Sequence, residues 1–384
     1  MRIASIDLWR VRSPLVRAYP LSKLYGTLTH AEAVFLRLTT DDGLVGWGEA
    51  DPNMPFTEEW HGGVMLLLGE IAGARLIGRD PRDWAAILAE IDALVPGNPT
   101  AKGAIDMALH DLAGKAAGLP VHALMGGKLR DEIALLWPLG SEALADSIAV
   151  VEEKISQGFR CFMIKTGARD VAEDAARTLG LIERFHPQVS FIADANQGWS
   201  ETEALRYLAL IGSAPLVLLE QPVVRDNLAG LARIRDAALM PISADEGVFS
   251  LTQAASLAAS RAVDVFSIKP SKNGGLAPSR KIAALAEGHG LGVLMNSMIE
   301  FGVTQAAALQ LGLTLPNLMD CGHAYMSTLR ITEDATDFAA CIANAMARDP
   351  GRPGLGVEVD LDRLQALAVD HRRIAEDAAK EAAQ

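Results

Sequence analysis

Cys161-Phe162-Met163-Ile164-Lys165 is a short apolar run that stops on a charge, and the same pattern recurs four more times downstream. Asp194 follows Val189–Ala193, Glu220 follows Leu216–Leu219, Asp245 follows Pro241–Ala244, and Lys269 follows the mainly apolar Val263–Ile268. The five charges stand 29, 26, 25 and 24 residues apart, a step that accommodates one strand, one helix and two loops. Consecutive parallel strands of a β/α barrel ending at these positions would bring all five side chains to its C-terminal rim, where such barrels build active sites. Three carboxylates flanked by two lysines describe a divalent-metal site with a base on either side.

Working outward, a barrel of ~250 residues leaves room for a second domain in a chain of 384 residues. Residues 1–130 do not follow the strand–helix rhythm. Strands are expected at 2–11 and 32–39, a hairpin turn at 41–43, and helices around 61–75, 81–94 and 101–117, which together make an α+β domain. The alternation occupies residues 131–350. Its expected helix starts are Ser141, the capping box Ser200–Glu203, Asp226 and Ser250. A seventh strand is read at 291–296 and a short eighth at Leu318–Gly322. Residues 351–384, ending in a charged helix, no longer resemble barrel units.

A net charge of −13 disfavours nucleic acid and anionic membranes as partners. No apolar run reaches the ~18 residues of a membrane helix, and no secretion signal is read at the N-terminus. Cys161, Cys321 and Cys341 form neither a disulfide framework nor a CxxC pair, and a cytoplasmic location is expected.

The chemistry follows from the residue types. Mg²⁺ prefers oxygen ligands and keeps positions for water or substrate, whereas zinc sites favour histidine and cysteine, which these strand ends lack. A metal-bound carboxylate substrate loses its α-proton more readily, because the ion stabilises the resulting enediolate. Lys165 and Lys269, on strands flanking the acids, would face opposite sides of such a substrate, either removing a proton on one side and delivering it on the other, or with one as base while the other stabilises charge.

Beyond these strand ends stand Ala104–Pro120, Leu124–Lys128, Lys269–Gly275 and Pro353–Val357. Taken together, the chain resembles the mandelate racemase and muconate lactonising branch of the enolase superfamily, nearest its muconate lactonising subgroup. The resemblance implies an α/β fold: a modified (β/α)₈ TIM barrel under an α+β capping domain that the C-terminal segment completes. It implies Mg²⁺, with Mn²⁺ as a substitute, held by Asp194, Glu220 and Asp245 and supported by Asn196 and Glu246. It also implies a homo-oligomer. Lys269 matches the subgroup's base, while Lys272 lies deeper in the same motif. Two departures stand out: Met163 occupies a position that commonly holds a lysine, and Asp320-Cys321-Gly322-His323 lacks the Asp-x-Asp pattern of dipeptide epimerases.

Substrate contacts are expected from Tyr25, Trp60, Ser297, Glu300 and Asp320, with specificity from loops 19–27 and 51–60 and from an eighth-strand loop carrying His323 and Tyr325. A carboxylate at Asp320 would favour a substrate ammonium group. The expected activity is racemisation or epimerisation of an amino-acid derivative. Muconate-type cycloisomerisation, and dehydration of the o-succinylbenzoate synthase kind, are the alternatives.

Overall fold

The computed structural model describes residues 1–375. Strands β1 (Ile3–Pro20), β2 (Thr27–Thr40) and β3 (Val45–Ala50) form an antiparallel sheet, longer than the sequence pattern predicts. Successive side chains point to opposite faces, and both faces of this sheet are apolar. Ile6, Leu8, Val34 and Leu36 pack with Ile105 and Leu109 of the helix Pro99–Ala117. Trp9, Val11, Phe35 and Trp47 join the core of the second domain. Gly48 sets how closely that helix approaches β3, since a Cβ there would lie 1.9 Å from the carbonyl oxygen of Ala104.

The short strand β4 (Glu132–Ala134) leads into a seven-stranded parallel sheet. Its members are β5 (Leu136–Leu139), β6 (Cys161–Lys165), β7 (Ser190–Asp194), β8 (Leu216–Glu220), β9 (Ile242–Ala244), β10 (Val265–Ile268) and β11 (Gly292–Met295), paired in chain order. Helices follow the strands as the rhythm predicts. The expected capping box forms, Ser200 with Glu203, and Ser250, expected only as a helix start, forms a second with Gln253. Two expected caps do not. Ser141 donates instead to the carbonyl of Leu21, and Asn227 takes the place expected of Asp226.

The eighth stave is longer and more irregular than expected. Leu318 bridges β11 at Val293, and His323 bridges Leu135 just before β5. The backbone N–H of Ala324 donates to Met295, so the stave reaches rim level near Ala324–Met326 rather than at Asp320. Beyond it, β12 (Ile342–Ala343) and β13 (Met346–Arg348) form a small sheet with β4. The expected C-terminal helix is short, Leu361–Leu367, and gives way to β14 (Ala368–Ala375), antiparallel to β1. A charged edge strand therefore occupies residues read as helical, and charge is a usual property of such edges. The remainder of that expected helix lies outside the described residues. No helix among them is long and apolar enough to cross a membrane.

Candidate active site

Strand register brings the acids and lysines together. Lys165 pairs with Asp194 across β6–β7, and Asp194 with Glu220 across β7–β8. Asp245 and Lys269 stand just past the ends of β9 and β10. All five are buried at the rim. Gln221 ties the strand ends together, its Oε1 accepting from the backbone N–H groups of Asp245 and Gly247 at 3.0 Å each.

Each outer acid is gripped by lysine. The Lys165 ammonium donates to Asp194. Lys269 donates to Asp245 Oδ2 at 2.6 Å, and Lys272, wholly buried, to Asp245 Oδ1 at 2.7 Å. Glu220 between them accepts from Asn296 Nδ2 at 2.8 Å, and its second oxygen has no partner.

The electrostatics follow this layout. Burial is the largest single influence on Lys165 and pulls its pKa down, but the charges around it, Asp194 first, and the hydrogen bond to Asp194 together hold the group above its ordinary value. At Lys269 burial is again the largest single influence, and Asp245, Glu220 and Glu246 together reverse it, with the same net direction. Burial would raise Asp245, yet its two lysines hold it at about 2. Glu220 is pushed well up, by burial first and then by the charges of Asp194 and Asp245.

Among the described residues no three His, Cys, Asp or Glu side chains are grouped tightly enough to hold a metal ion. The donor set nonetheless fits a hard divalent cation, which binds carboxylate oxygens. Three neighbouring carboxylates raise one another's energy, and Glu220 Oε2 is a buried oxygen left without a donor.

Lys165 and Lys269 border one cavity of roughly 640 Å³, counting its open mouth. The cap contributes Tyr19, Leu21, Tyr25, Leu28 and Asn53–Phe56, and Asn196, Asn296 and Ser297 line it from the barrel. Asn196 Nδ2 donates to Glu246 Oε1 at 3.2 Å, and the Tyr25 hydroxyl to the same oxygen at 3.0 Å. Glu246 is thereby one of the points where cap and barrel rim meet. Ile299, a β-branched residue, takes a φ of 72° at the cavity wall, a strained conformation of the kind that clusters at functional sites.

Several expected contacts are not brought to this cavity. Asp320 is exposed and precedes the rim end of the eighth stave, so it does not border the cavity. Trp60 is 60% exposed and borders a neighbouring pocket between the cap strands and the 51–61 loop. Glu300 is buried behind the wall, where it accepts from Ser297, from the Met298 N–H at 2.6 Å and from Gln305 at 3.0 Å. His323 and Tyr325 are core residues; the eighth stave and its loop instead present Met326 and Arg330. Arg330 and Asn296 escaped the sequence reading, because no motif marks either. Lys272 was visible in its motif but ranked below Lys269.

Two family models match this chain. One, described as the mandelate racemase / muconate lactonizing enzyme N-terminal domain, covers residues 5–126, and the other, enolase C-terminal domain-like, covers 146–363. The chain belongs to the mandelate racemase/muconate lactonizing enzyme family. It is 33% identical to the L-Ala-D/L-Glu epimerase of Bacillus subtilis (strain 168), across 93% of this chain and 97% of the relative. It is 32% identical to a chloromuconate cycloisomerase of Cupriavidus pinatubonensis, across 88% and 92%. The crystal structure of the N-succinyl Arg/Lys racemase from Bacillus cereus superposes with a TM-score of 0.93 at 29% identity, covering 97% of this chain and all of that one. The protein is thus an enolase-superfamily isomerase, a class that acts on small carboxylates and generally uses a divalent metal ion.

Proposed function

We propose that this isomerase racemises or epimerises an N-blocked amino-acid derivative, moving the α-proton between Lys165 and Lys269. One observation carries the reading: the two lysines, from strands on either side of the three acid-bearing strands, open onto the same cavity. Asp194, Glu220 and Asp245 would hold a divalent cation, Mg²⁺ by preference or Mn²⁺ in its place. That ion, when bound, stabilises the negative charge that develops on the substrate carboxylate as the α-proton leaves.

The rest falls to the chain. One lysine takes the proton from one face, and the other returns a proton to the opposite face. A lysine can accept a proton only as the neutral amine. Once Asp194 and Asp245 turn their charge elsewhere, burial is the dominant influence left on each lysine, and burial favours the neutral form. Asn196, Glu246 and Tyr25 link the acid loops to the cap, and the apolar wall from Leu21, Leu28 and Phe56 excludes water. Apart from the three acids of the proposed metal site, two of which lie against the cavity lysines, no carboxylate borders the cavity among the described residues, so nothing else there would pair a free substrate ammonium. This supports a blocked amine.

Cycloisomerisation with Lys165 as sole proton carrier is the second reading, favoured by the similarity to chloromuconate cycloisomerases. Incubating N-acyl amino acids, dipeptides and muconates with the protein and Mg²⁺ in D₂O, followed by NMR and mass spectrometry, separates the readings. Deuterium entry at the α-carbon with inversion supports proton transfer. Ring closure supports the second reading, and loss of water would mark elimination instead. Full turnover after exhaustive dialysis against EDTA would sink the metal-dependent scheme.

A further inference from the structure

Arg177 lies buried on the helix Val171–Phe185, which joins β6 to β7, and among the described residues it enters no ion pair. Glu142 and Asp174 favour its charge but do not offset its burial. Its donors go to main chain and hydroxyl instead. Nη1 donates to the Lys165 carbonyl at 2.8 Å, Nη2 to the Gly140 carbonyl, and Nε and Nη2 to Ser147 Oγ at 3.1 and 3.0 Å. Gly140 follows β5 and Lys165 ends β6, so one planar fork fixes the exits of two neighbouring strands. One turn earlier on the same helix, Asp174 Oδ2 accepts from the Gly167 N–H at 2.7 Å. The loop from Lys165 to Gly167 is thus held at both ends by one helix. It has little room to relax, since a Cβ on Gly167 would lie 2.5 Å from the Ala195 carbonyl oxygen. Lys269 is seated differently: its backbone N–H donates to Asn273 Oδ1 at 2.9 Å, a neutral partner within its own loop.

Burying a guanidinium without a counter-charge is costly, and a rigid fork of donors is the group suited to grip two carbonyls at set positions. A grip on the backbone sets where the Cα–Cβ bond of Lys165 points. We infer that Arg177 is a positioning residue for Lys165, aiming the base on one face of the substrate while Lys269 on the other face stands without it. The inference rests on the two-lysine reading of the proposed function and adds the group that aims one of the two. Arg177 does not border the cavity, so it acts only through Lys165. A misplacement of about 1 Å at a reacting group costs about a hundredfold in rate, which sets the scale of the effect.

Initial loss of the α-proton into D₂O, followed by NMR on each enantiomer of N-acetyl amino acids with Mg²⁺, tests this. The Lys165→Met variant identifies the enantiomer whose proton Lys165 removes. Arg177→Met should slow proton loss from that enantiomer about ten- to a hundredfold, and from its mirror image less than about threefold. Arg177→Lys keeps the charge without the fork and should show a smaller bias of the same sign; it carries the comparison if the methionine variant does not fold. A loss of stability alone slows both enantiomers alike, so equal slowing overturns the role of Arg177 and leaves the two-lysine reading standing. A Lys165→Met variant that slows both alike overturns that reading, and this inference with it. Crystal structures of the wild type and the Arg177 variants give a readout that needs no turnover. The Lys165 backbone and ammonium should shift by about 1 Å in the variants, and an unmoved Lys165 overturns the inference.

Discussion

The two flanks of the acid cluster are built from the same parts in different numbers. On the β6 side a single ammonium, Lys165, faces Asp194, and its strand neighbour on the cavity wall is the uncharged Met163. On the β10 side two ammonium groups converge on Asp245, and Lys272 also donates to its backbone carbonyl at 2.5 Å. Glu220 in the middle has no lysine. Positive charge is therefore graded across three carboxylates that the strand register treats alike. The lesson concerns division of labour. Lys269 borders the cavity while Lys272 does not, so one lysine of the pair is free to meet substrate and the other stays with Asp245.

The sharpest way to break this comparison is to remove one cavity lysine at a time. Lys165→Met and Lys269→Met should each lower turnover by about 10²–10⁴, the range that general-base catalysis supplies. Each variant should still exchange the α-proton of one enantiomer with D₂O, and the two should choose opposite enantiomers. NMR of both enantiomers with both variants checks this, and racemisation at an undiminished rate in either one defeats the two-base scheme.

The grading itself is tested through the acids. Asp245→Asn leaves two buried ammonium groups without their counter-charge, whereas Asp194→Asn leaves one. Breaking a buried pair costs about 3–5 kcal/mol, and the Asp245 variant should lie at or above the top of that range. Urea unfolding of both variants in metal-free buffer measures the difference. Equal losses would mean that Lys272 adds nothing to the β10 side.

A pH titration separates both flanks from the rest of the barrel. Burial holds His323 down at about 4, and the ring accepts from the Met295 N–H at 3.1 Å as the neutral form. The unfolded chain takes up a proton on this residue below its usual ~6.5 and the folded protein does not. Stability should therefore be level above about pH 7, and fall by on the order of 3 kcal/mol between pH 6.5 and 4. His323→Asn should flatten that acid limb in urea midpoints taken at pH 7 and 5. An unchanged limb would assign acid sensitivity to the flanks instead.

The smallest effect belongs to the contact joining cap to rim. Tyr25→Phe removes a hydroxyl that donates to Glu246 and accepts from Gln197 at 2.6 Å. A loss of about 0.5–1.5 kcal/mol is expected, visible in KM before kcat because the cap closes the cavity. A change confined to kcat would place Tyr25 in the chemistry.

Much of the fold and of the acid–lysine constellation was legible because a barrel repeats. Each strand buries an apolar run and ends at one rim, so five charges at even steps had to meet. Asp320 misled for the same reason. It follows an apolar run as Asp194 does, but its stave continues past it to Ala324, held by bridges to Val293 and Leu135 that leave no local mark. Residues 368–375 read as helical because charge dominates them, and a partner strand 357 to 370 residues away, from Val11↔Ala368 to Ser5↔Ala375, decides otherwise.

What the sequence determined by itself is what local periodicity encodes: the strand–helix alternation, the level of the acids and lysines, and the Ser200–Glu203 capping box. What the tertiary structure decided is what comes from docking one domain on another. It brought Tyr19 and Arg330 together, set Tyr25 on Glu246, and gave Asp245 two lysines while Glu220 received none. Side chains far apart in the chain acquire a shared environment only when the cap and the loops above the barrel pack, and burial and pairing, which fix their charge, begin there.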